Sequence, residues 1–377
     1  MNPSTLIAGL YLGQLWLKAG LALRFKSHEP QPRPADLSRL TVMQAVMSGD
    51  PGLAGVLEAD LQELSDARVI WIVDRGDEVA RAACTTLREK FPQRNILMLE
   101  TDEPPAGTNP KLWKQVAALP CVETELLAVI DDDTRVPRRS LDRLINALDE
   151  GADLATGLPS YDAAPGIWSR LVAEFVNTSA VLTYLSAAAC TEPLSINGMC
   201  YAMRTAFVRQ YDLFTACSRC ITDDLAMAKA VRHAGGRIVQ TAQPQHITTT
   251  VGSVGYYGRL MHRWFVFTRI LVRNEPWPIQ IGLIVSYGLH PLLLAALFCT
   301  AAWHPWTLLA VLLARAATIG WVNRRIVGHW RHAPLASLGA ELLQPVFFVG
   351  ACFRPVVLWR RRWIRVFAYN RFEYLSP

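Results

Sequence analysis

Long apolar stretches bracket this chain at both ends, and they decide what the residues between them can be. Residues 5–23 are apolar apart from Gln14 and Lys18, and residues 279–303, 306–322 and 335–353 follow far downstream. A membrane-crossing helix needs about 20 apolar residues, so residues 1–26 read as an N-terminal transmembrane anchor. No basic residue precedes the first stretch, whereas Arg24 and Lys26 follow it at once. That asymmetry places the N-terminus outside and the chain beyond Arg24 in the cytoplasm, and a cleaved leader would carry its charges in front instead. Only His304 and Pro305 separate the next two stretches, which read as a helical hairpin of two spans. The last stretch differs, because the loop 323–332 before it and the tail after it are both basic. Residues 335–353, with Glu341, Gln344 and Pro345 inside them, are therefore expected to form a re-entrant or interfacial helix. The alternative is a third span that breaks the charge rule.

Composition supports a membrane protein: 51% of residues are hydrophobic, 19% are charged, and the mean hydropathy is +0.18. Disorder is excluded. The net charge of +6 is concentrated in the tail, where Arg354, Arg360, Arg361, Arg362, Arg365 and Arg371 cluster. A basic cytoplasmic tail over 354–377 beside a span fits the lipid bilayer rather than nucleic acid. The basic residues are nearly all arginine, a usage typical of GC-rich bacterial genomes and hence of a bacterial inner membrane. Eight cysteines show no framework spacing, as in a reducing compartment.

Between the membrane stretches, after a proline-rich linker over 27–39, residues 40–253 alternate short apolar runs with amphipathic stretches. This is the rhythm of an α/β domain with a mainly parallel sheet. Strands are expected at 40–46, 69–73, 96–99, 126–130, 154–157, 200–203 and 237–240, and helices at 53–64, 78–91, 111–118, 139–150, 167–185 and 223–233. Residues 254–278 read as an amphipathic interfacial segment ahead of the membrane helices at 279–353.

Acidic residues stand where two of these strands end, and in open α/β sheets ligands bind beyond the carboxyl ends of strands. The run 69–73 stops at Asp74, and 126–130 stops at Asp131-Asp132-Asp133. On an extended backbone residues two apart point the same way, so Asp131 and Asp133 converge while Asp132 faces elsewhere. Two carboxylates with a diphosphate make a suitable oxygen shell for Mg²⁺ or Mn²⁺; a solvated acidic turn is the plainer alternative. Asp223-Asp224 opens a helix, where one carboxylate is explained as a cap and the other fits a general base for an acceptor hydroxyl. Asp74 suits the donors of a nucleoside, and Lys111, behind Asn109-Pro110, suits a phosphate at a helix start.

The ordered set Asp74, Asn109-Pro110-Lys111, Asp131-Asp132-Asp133, Gly157-Leu158-Pro159, Gly198-Met199, Asp223-Asp224 with Met227 to Ala230, and Arg263-Trp264 resembles the ceramide glucosyltransferases and their bacterial relatives. These form glycosyltransferase family 21, within the family 2-like GT-A group. The resemblance runs from about residue 40 to the tail. It implies a GT-A domain joined to N- and C-terminal transmembrane helices, and an inverting, metal-dependent transfer of one sugar from a UDP-sugar to a lipid hydroxyl. It also implies nucleotide-sugar binding by Asp74, Lys111, Asp131 and Asp223, a divalent cation (Mg²⁺ or Mn²⁺) held by Asp131, Asp133 and His246, and catalysis by Asp224 with Arg263 and Trp264. One position departs from the pattern: Leu260 stands where relatives carry Gln or Arg, and Arg259 is offset from it by about 100° on a helix. Cys217 and Cys220 form a lone Cys-x-x-Cys, too few ligands for zinc. An N-acetylglucosamine-dependent hopanoid glycosyltransferase shares this chemistry. A processive polysaccharide synthase and an inactive lipid-binding protein are more distant alternatives.

Overall fold

The computed structural model describes residues 2–328, 332–359 and 362–375. The central sheet comprises β1 (Leu40–Val46), β2 (Arg68–Asp74), β3 (Ile96–Thr101), β4 (Leu126–Ile130), β5 (Thr134–Arg135), β6 (Leu154–Tyr161), β7 (Cys200–Arg204) and β8 (Ile238–Ile247). Their order is β3-β2-β1-β4-β7-β6-β8-β5. Val69 to Val73 and Leu126 to Ile130 are buried throughout, as strands covered on both faces require. The pairs β1–β2, β1–β4, β2–β3 and β6–β8 are parallel. β7 runs antiparallel to both β4 and β6, and β5 antiparallel to β8. The sheet is thus mixed with a parallel majority. Because β7 reverses between β4 and β6, the carboxyl ends of β1, β2, β3, β4, β6 and β8 share one edge.

In chain order the helices are α1 (Pro3–His28), α2 (Leu53–Glu63), α3 (Glu78–Lys90), α4 (Pro110–Ala118), α5 (Arg138–Asp149), α6 (Ile167–Ala180), α7 (Ser186–Ala188), α8 (Thr205–Gln210), α9 (Leu213–Cys217) and α10 (Asp223–His233). They are followed by α11 (Val254–Arg273), α12 (Trp277–Leu283), α13 (Leu289–Thr300), α14 (Pro305–Ile326) and α15 (Pro334–Phe353). Leu57, Leu61, Cys84, Leu144 and Trp71 form the core on one face of the sheet. Leu112, Phe214, Met227, Ile70 and Ile72 form it on the other. The alternation along β2 divides its side chains between these two layers.

Strand β8 runs on to Ile247, well past the expected end at Gln240, because Gln243-Pro244-Gln245 looks like a loop in the sequence. The missing donor of Pro244 is tolerated where the β6–β8 register shifts between Thr156 and Leu158. Gly157 lies at that shift, and a Cβ there would stand 1.9 Å from Gln245 Nε2.

Among the described residues, five helical segments are long and apolar enough to cross a membrane: Pro3–His28, Ile167–Ala188, Trp277–Thr300, Pro305–Ile326 and Pro334–Phe353. The second was expected as an ordinary helix of the soluble domain. Its polar residues, which gave it that character, face other elements instead. Asn177 exchanges two hydrogen bonds with the Tyr161 backbone (2.7 and 2.8 Å), Thr178 Oγ1 lies 2.8 Å from Ser337 Oγ, and Glu174 accepts from Ala333 N at 2.8 Å. The last helix runs unbroken through Pro345. Part of each basic flank, residues 329–331 and 360–361, lies outside the described residues.

A buried polar network ties these helices together. Arg315 Nε donates to Glu341 Oε2 (2.9 Å) and Tyr11 Oη (3.0 Å), and its Nη2 donates to Glu341 Oε2 and Ser337 Oγ (2.7 Å each). Tyr11 Oη also donates to Glu341 Oε1 at 3.0 Å, and its ring stacks on His290. The network joins α1, α13, α14 and α15.

The tail is not merely a basic extension. It folds into a second, antiparallel sheet of β9 (Val356–Trp359), β10 (Arg362–Ala368) and β11 (Arg371–Tyr374), in the order β11-β10-β9. Val357, Ile364, Val366 and Phe372 are buried beneath it.

Candidate active site

The shared edge of strand ends opens onto one cleft, and the acidic residues reach it from separate parts of the chain. Asp131 N donates to Met199 O (2.8 Å) and Thr134 N to Asp131 O (3.1 Å), which turns the triplet sharply after β4. Asp132 points away, accepting from Met47 N at 2.6 Å. Asp133 accepts from Thr134 Oγ1 and Thr249 Oγ1, each at 3.2 Å. The protein packed around Asp133, and then the charges of Asp131 and Asp132, push its carboxyl up to about 7.

Asn109 caps α4, its Oδ1 accepting from Lys111 N (2.9 Å) and Leu112 N (3.3 Å), and so aims Lys111 into the cleft. Lys111 Nζ lies 2.6 Å from Asp131 Oδ1, 3.2 Å from Asp223 Oδ2 and 2.6 Å from Gly198 O. An ammonium has three protons, and these three acceptors use them. The expected phosphate ligand is therefore engaged in joining two acidic segments. Burial opposes its charge, but Asp131 and Asp223 outweigh burial and hold the ammonium above the ordinary lysine range.

Asp223 and Asp224 form the first turn of α10, where Thr222 supplies no side-chain cap. Asp224 Oδ1 accepts from Leu225 N at 2.7 Å. Desolvation, followed by the charge of Asp223, pushes its carboxyl up to about 7. Gly198 allows the approach: a Cβ there would meet Asp224 Cβ at 3.2 Å and Asp223 Oδ2 at 3.7 Å. Gly198→Ala is expected to displace Asp224 and slow turnover by up to roughly 10²-fold while leaving the unfolding midpoint near wild type; steady-state kinetics beside a thermal melt test this.

Arg263 and Trp264, on α11, both lie near Tyr161. The Trp264 ring meets Tyr161 edge-on at 6.2 Å and stacks on Phe175 at 5.9 Å. Burial and then Asp133 push the Tyr161 phenol well above its usual range, with Arg263 acting the other way. Leu260 is buried in the apolar core while Arg259 is exposed.

Asp74 ends β2 with its Oδ1 3.0 Å from Lys114 Nζ, and Lys114 also donates to Val46 O at 3.1 Å. Sequence reasoning overlooked Lys114. Its spacing of three from Lys111 puts both lysines on one face of α4, a signal that was available. Tyr161, Thr249 and Asp50, which accepts from Thr250 N at 2.9 Å, belong to no recognisable pattern.

His246, expected as a third metal ligand, lies near the end of β8. Its Nδ1 lies 3.4 Å from Asp162 Oδ1, and among the described residues no group of three His, Cys, Asp or Glu side chains gathers as a metal shell. Side chains alternate along a strand, so His246 points opposite to Ile247, which packs in the core around Tyr161. Cys217 and Cys220 are buried free thiols, and burial pushes Cys220 up to about 11. They are core residues.

The description "Glycosyl transferase family 21" fits residues 5–371, nearly the whole chain. The chain belongs to glycosyl transferase family 21. Among solved structures, this family 21 protein is similar to the mannosyltransferase PcManGT from Pyrobaculum calidifontis, in complex with GDP-Man and Mn²⁺. The identity is 16% over 93% of this chain and 96% of that one, with a TM-score of 0.55. The mannosyl-3-phosphoglycerate synthase from Rubrobacter xylanophilus matches over 69% of this chain and 85% of its own, at 13% identity and a TM-score of 0.40. The α/β domain of this family 21 glycosyltransferase has the GT-A fold.

Proposed function

We propose that this glycosyltransferase moves a single sugar from a UDP-sugar to a lipid hydroxyl with inversion, in the manner of ceramide glucosyltransferases. One observation carries the reading: Lys111 joins Asp131, on the nucleotide side, to Asp223, the immediate neighbour of Asp224. The proposed base and the donor site therefore lie side by side. Asp74 would receive the nucleoside at the end of β2. Asp224 takes the proton of the acceptor hydroxyl, whose oxygen then attacks the anomeric carbon as the diphosphate leaves. Arg263 and Trp264, on the helix that leads to the membrane segments, would hold the acceptor or diphosphate end. The membrane-length helices before and after the GT-A domain suit an acceptor drawn from a bilayer, with the domain on the cytoplasmic side of a bacterial inner membrane.

The donor set fits a hard divalent cation. Asp131 and Asp133 are oxygen donors two residues apart after β4, close enough for the charge of Asp131 to act on Asp133, a repulsion that a cation would relieve. Asp131 and Asp133 would hold Mg²⁺ or Mn²⁺, which when bound offsets the charge developing on the leaving diphosphate. Stripping divalent ions with a chelator is expected to stop transfer, and re-adding Mn²⁺ or Mg²⁺ to restore it; full turnover in chelator would refute the assignment.

The base must be ionised to act. With the Asp224 carboxyl of the free protein at about 7, the carboxylate fraction and hence kcat/KM are expected to rise with pH through about 7 and then level off. A pH–rate profile that is flat from pH 5 to 9 would contradict this. The test of the reading as a whole is to supply membranes carrying the protein with a panel of UDP-sugars and identify the glycolipid by mass spectrometry. It reads donor and acceptor together.

A further inference from the structure

The C-terminal sheet reaches α10 and the segments just ahead of α4 and α10, the helices that carry Lys111, Asp223 and Asp224. Tyr369, between β10 and β11, accepts at its carbonyl from Ile221 N at 2.8 Å, two residues ahead of Asp223. Its ring lies 5.4 Å from Lys229 Nζ, more than a turn further along α10. Lys229 in turn donates to Asn274 O (3.1 Å) and pairs with Glu275 (3.5 Å) just beyond α11. Tyr374 Oη donates to Thr108 O at 2.8 Å. Next to Thr108, Asn109 donates through its N to Ser218 O (2.7 Å) and through Nδ2 to Cys220 O (2.9 Å). The bonds close a circuit running from Tyr374 through Thr108, Asn109, Cys220 and Ile221 to Tyr369.

That circuit supplies what α10 lacks. A helix start leaves backbone N–H groups without helical partners and frays first. Here the cap position Thr222 makes no side-chain bond to the helix, and its buried Oγ1 has no hydrogen-bond partner. The two acidic residues sit in that uncapped first turn.

We propose that Tyr369 is a positioning residue for Asp223 and Asp224: its carbonyl and ring hold α10 at two points, and the Tyr374 bond to Thr108 anchors the sheet on the side of Lys111. This rests on the reading of Asp224 as the base. The ring half of the clamp is open to mutation, because Tyr369→Leu removes the aromatic face under Lys229 whereas Tyr369→Phe keeps it.

The experiment compares both variants with wild type as full-length protein in lipid vesicles. For Tyr369→Leu, amide exchange in residues 218–225 rises and kcat falls by roughly ten- to a hundredfold, while donor KM stays within about twofold and the unfolding midpoint is retained. Tyr369→Phe restores both the protection and kcat. Wild-type exchange and turnover in Tyr369→Leu, or equal damage in Tyr369→Phe, would overturn the proposal. Exchange is read without substrate, so it decides the clamp even where the proposed donor or acceptor proves wrong.

Discussion

Asp224→Asn is expected to lower kcat by roughly 10²–10⁴-fold, the span that positioned general bases contribute, with the affinity for UDP-sugar nearly intact. Asn fills the same volume in the first turn of α10 and still offers an oxygen to Leu225 N, but it cannot take a proton. The donor side is untouched, because Lys111 bonds to Asp131, Asp223 and Gly198 and not to Asp224. Asp223→Asn is the informative contrast, since it removes one of the two charges that keep a buried ammonium in place. That change should weaken donor binding as well as turnover. Transfer assays paired with calorimetric titration of the nucleotide separate the two cases, and unchanged turnover in Asp224→Asn would remove the residue from the mechanism.

A comparably large effect on stability is expected from the polar network among the membrane-length helices. Arg315 is almost fully buried and shares its donors among Glu341, Tyr11 and Ser337. Arg315→Met leaves the Glu341 carboxylate buried without its cation, and Glu341→Leu does the reverse. Breaking one side of such a pair typically costs about 3–5 kcal/mol, whereas replacing both sides with apolar residues is often nearly neutral. The double variant should therefore recover most of the loss caused by either single change. Unfolding midpoints in detergent measure this, and two single variants as robust as wild type would show that the pair holds nothing together.

Much of the domain was readable because short, wholly apolar runs such as Leu126 to Ile130 have only one way to be buried at that length. The acids that stop those runs could be located for the same reason. What the sequence does not show is which partners distant in the chain surround each side chain. Lys111 was assigned to phosphate from its place at a helix start, but which acceptors surround it depends on how Gly198 lets α10 approach. His246 was named from the resemblance alone, and its neighbour Asp162 is set by the pairing of β6 with β8. The tail hid its strands because Trp363 and Phe367 fill the outward positions between Ile364, Val366 and their arginine neighbours, so the alternation of period two is blurred. In the helix Ile167–Ala188, likewise, the partners of Glu174, Asn177 and Thr178 come from distant parts of the chain.

The chain has only six lysines, and two of them, Lys111 and Lys114, stand beneath the strand ends facing Asp131, Asp223 and Asp74. Each behaves as a built-in counter-ion. An incoming nucleotide, itself anionic, thus meets an entrance whose negative potential has been partly offset from within, so raising the salt should speed its capture less than it would without the two lysines.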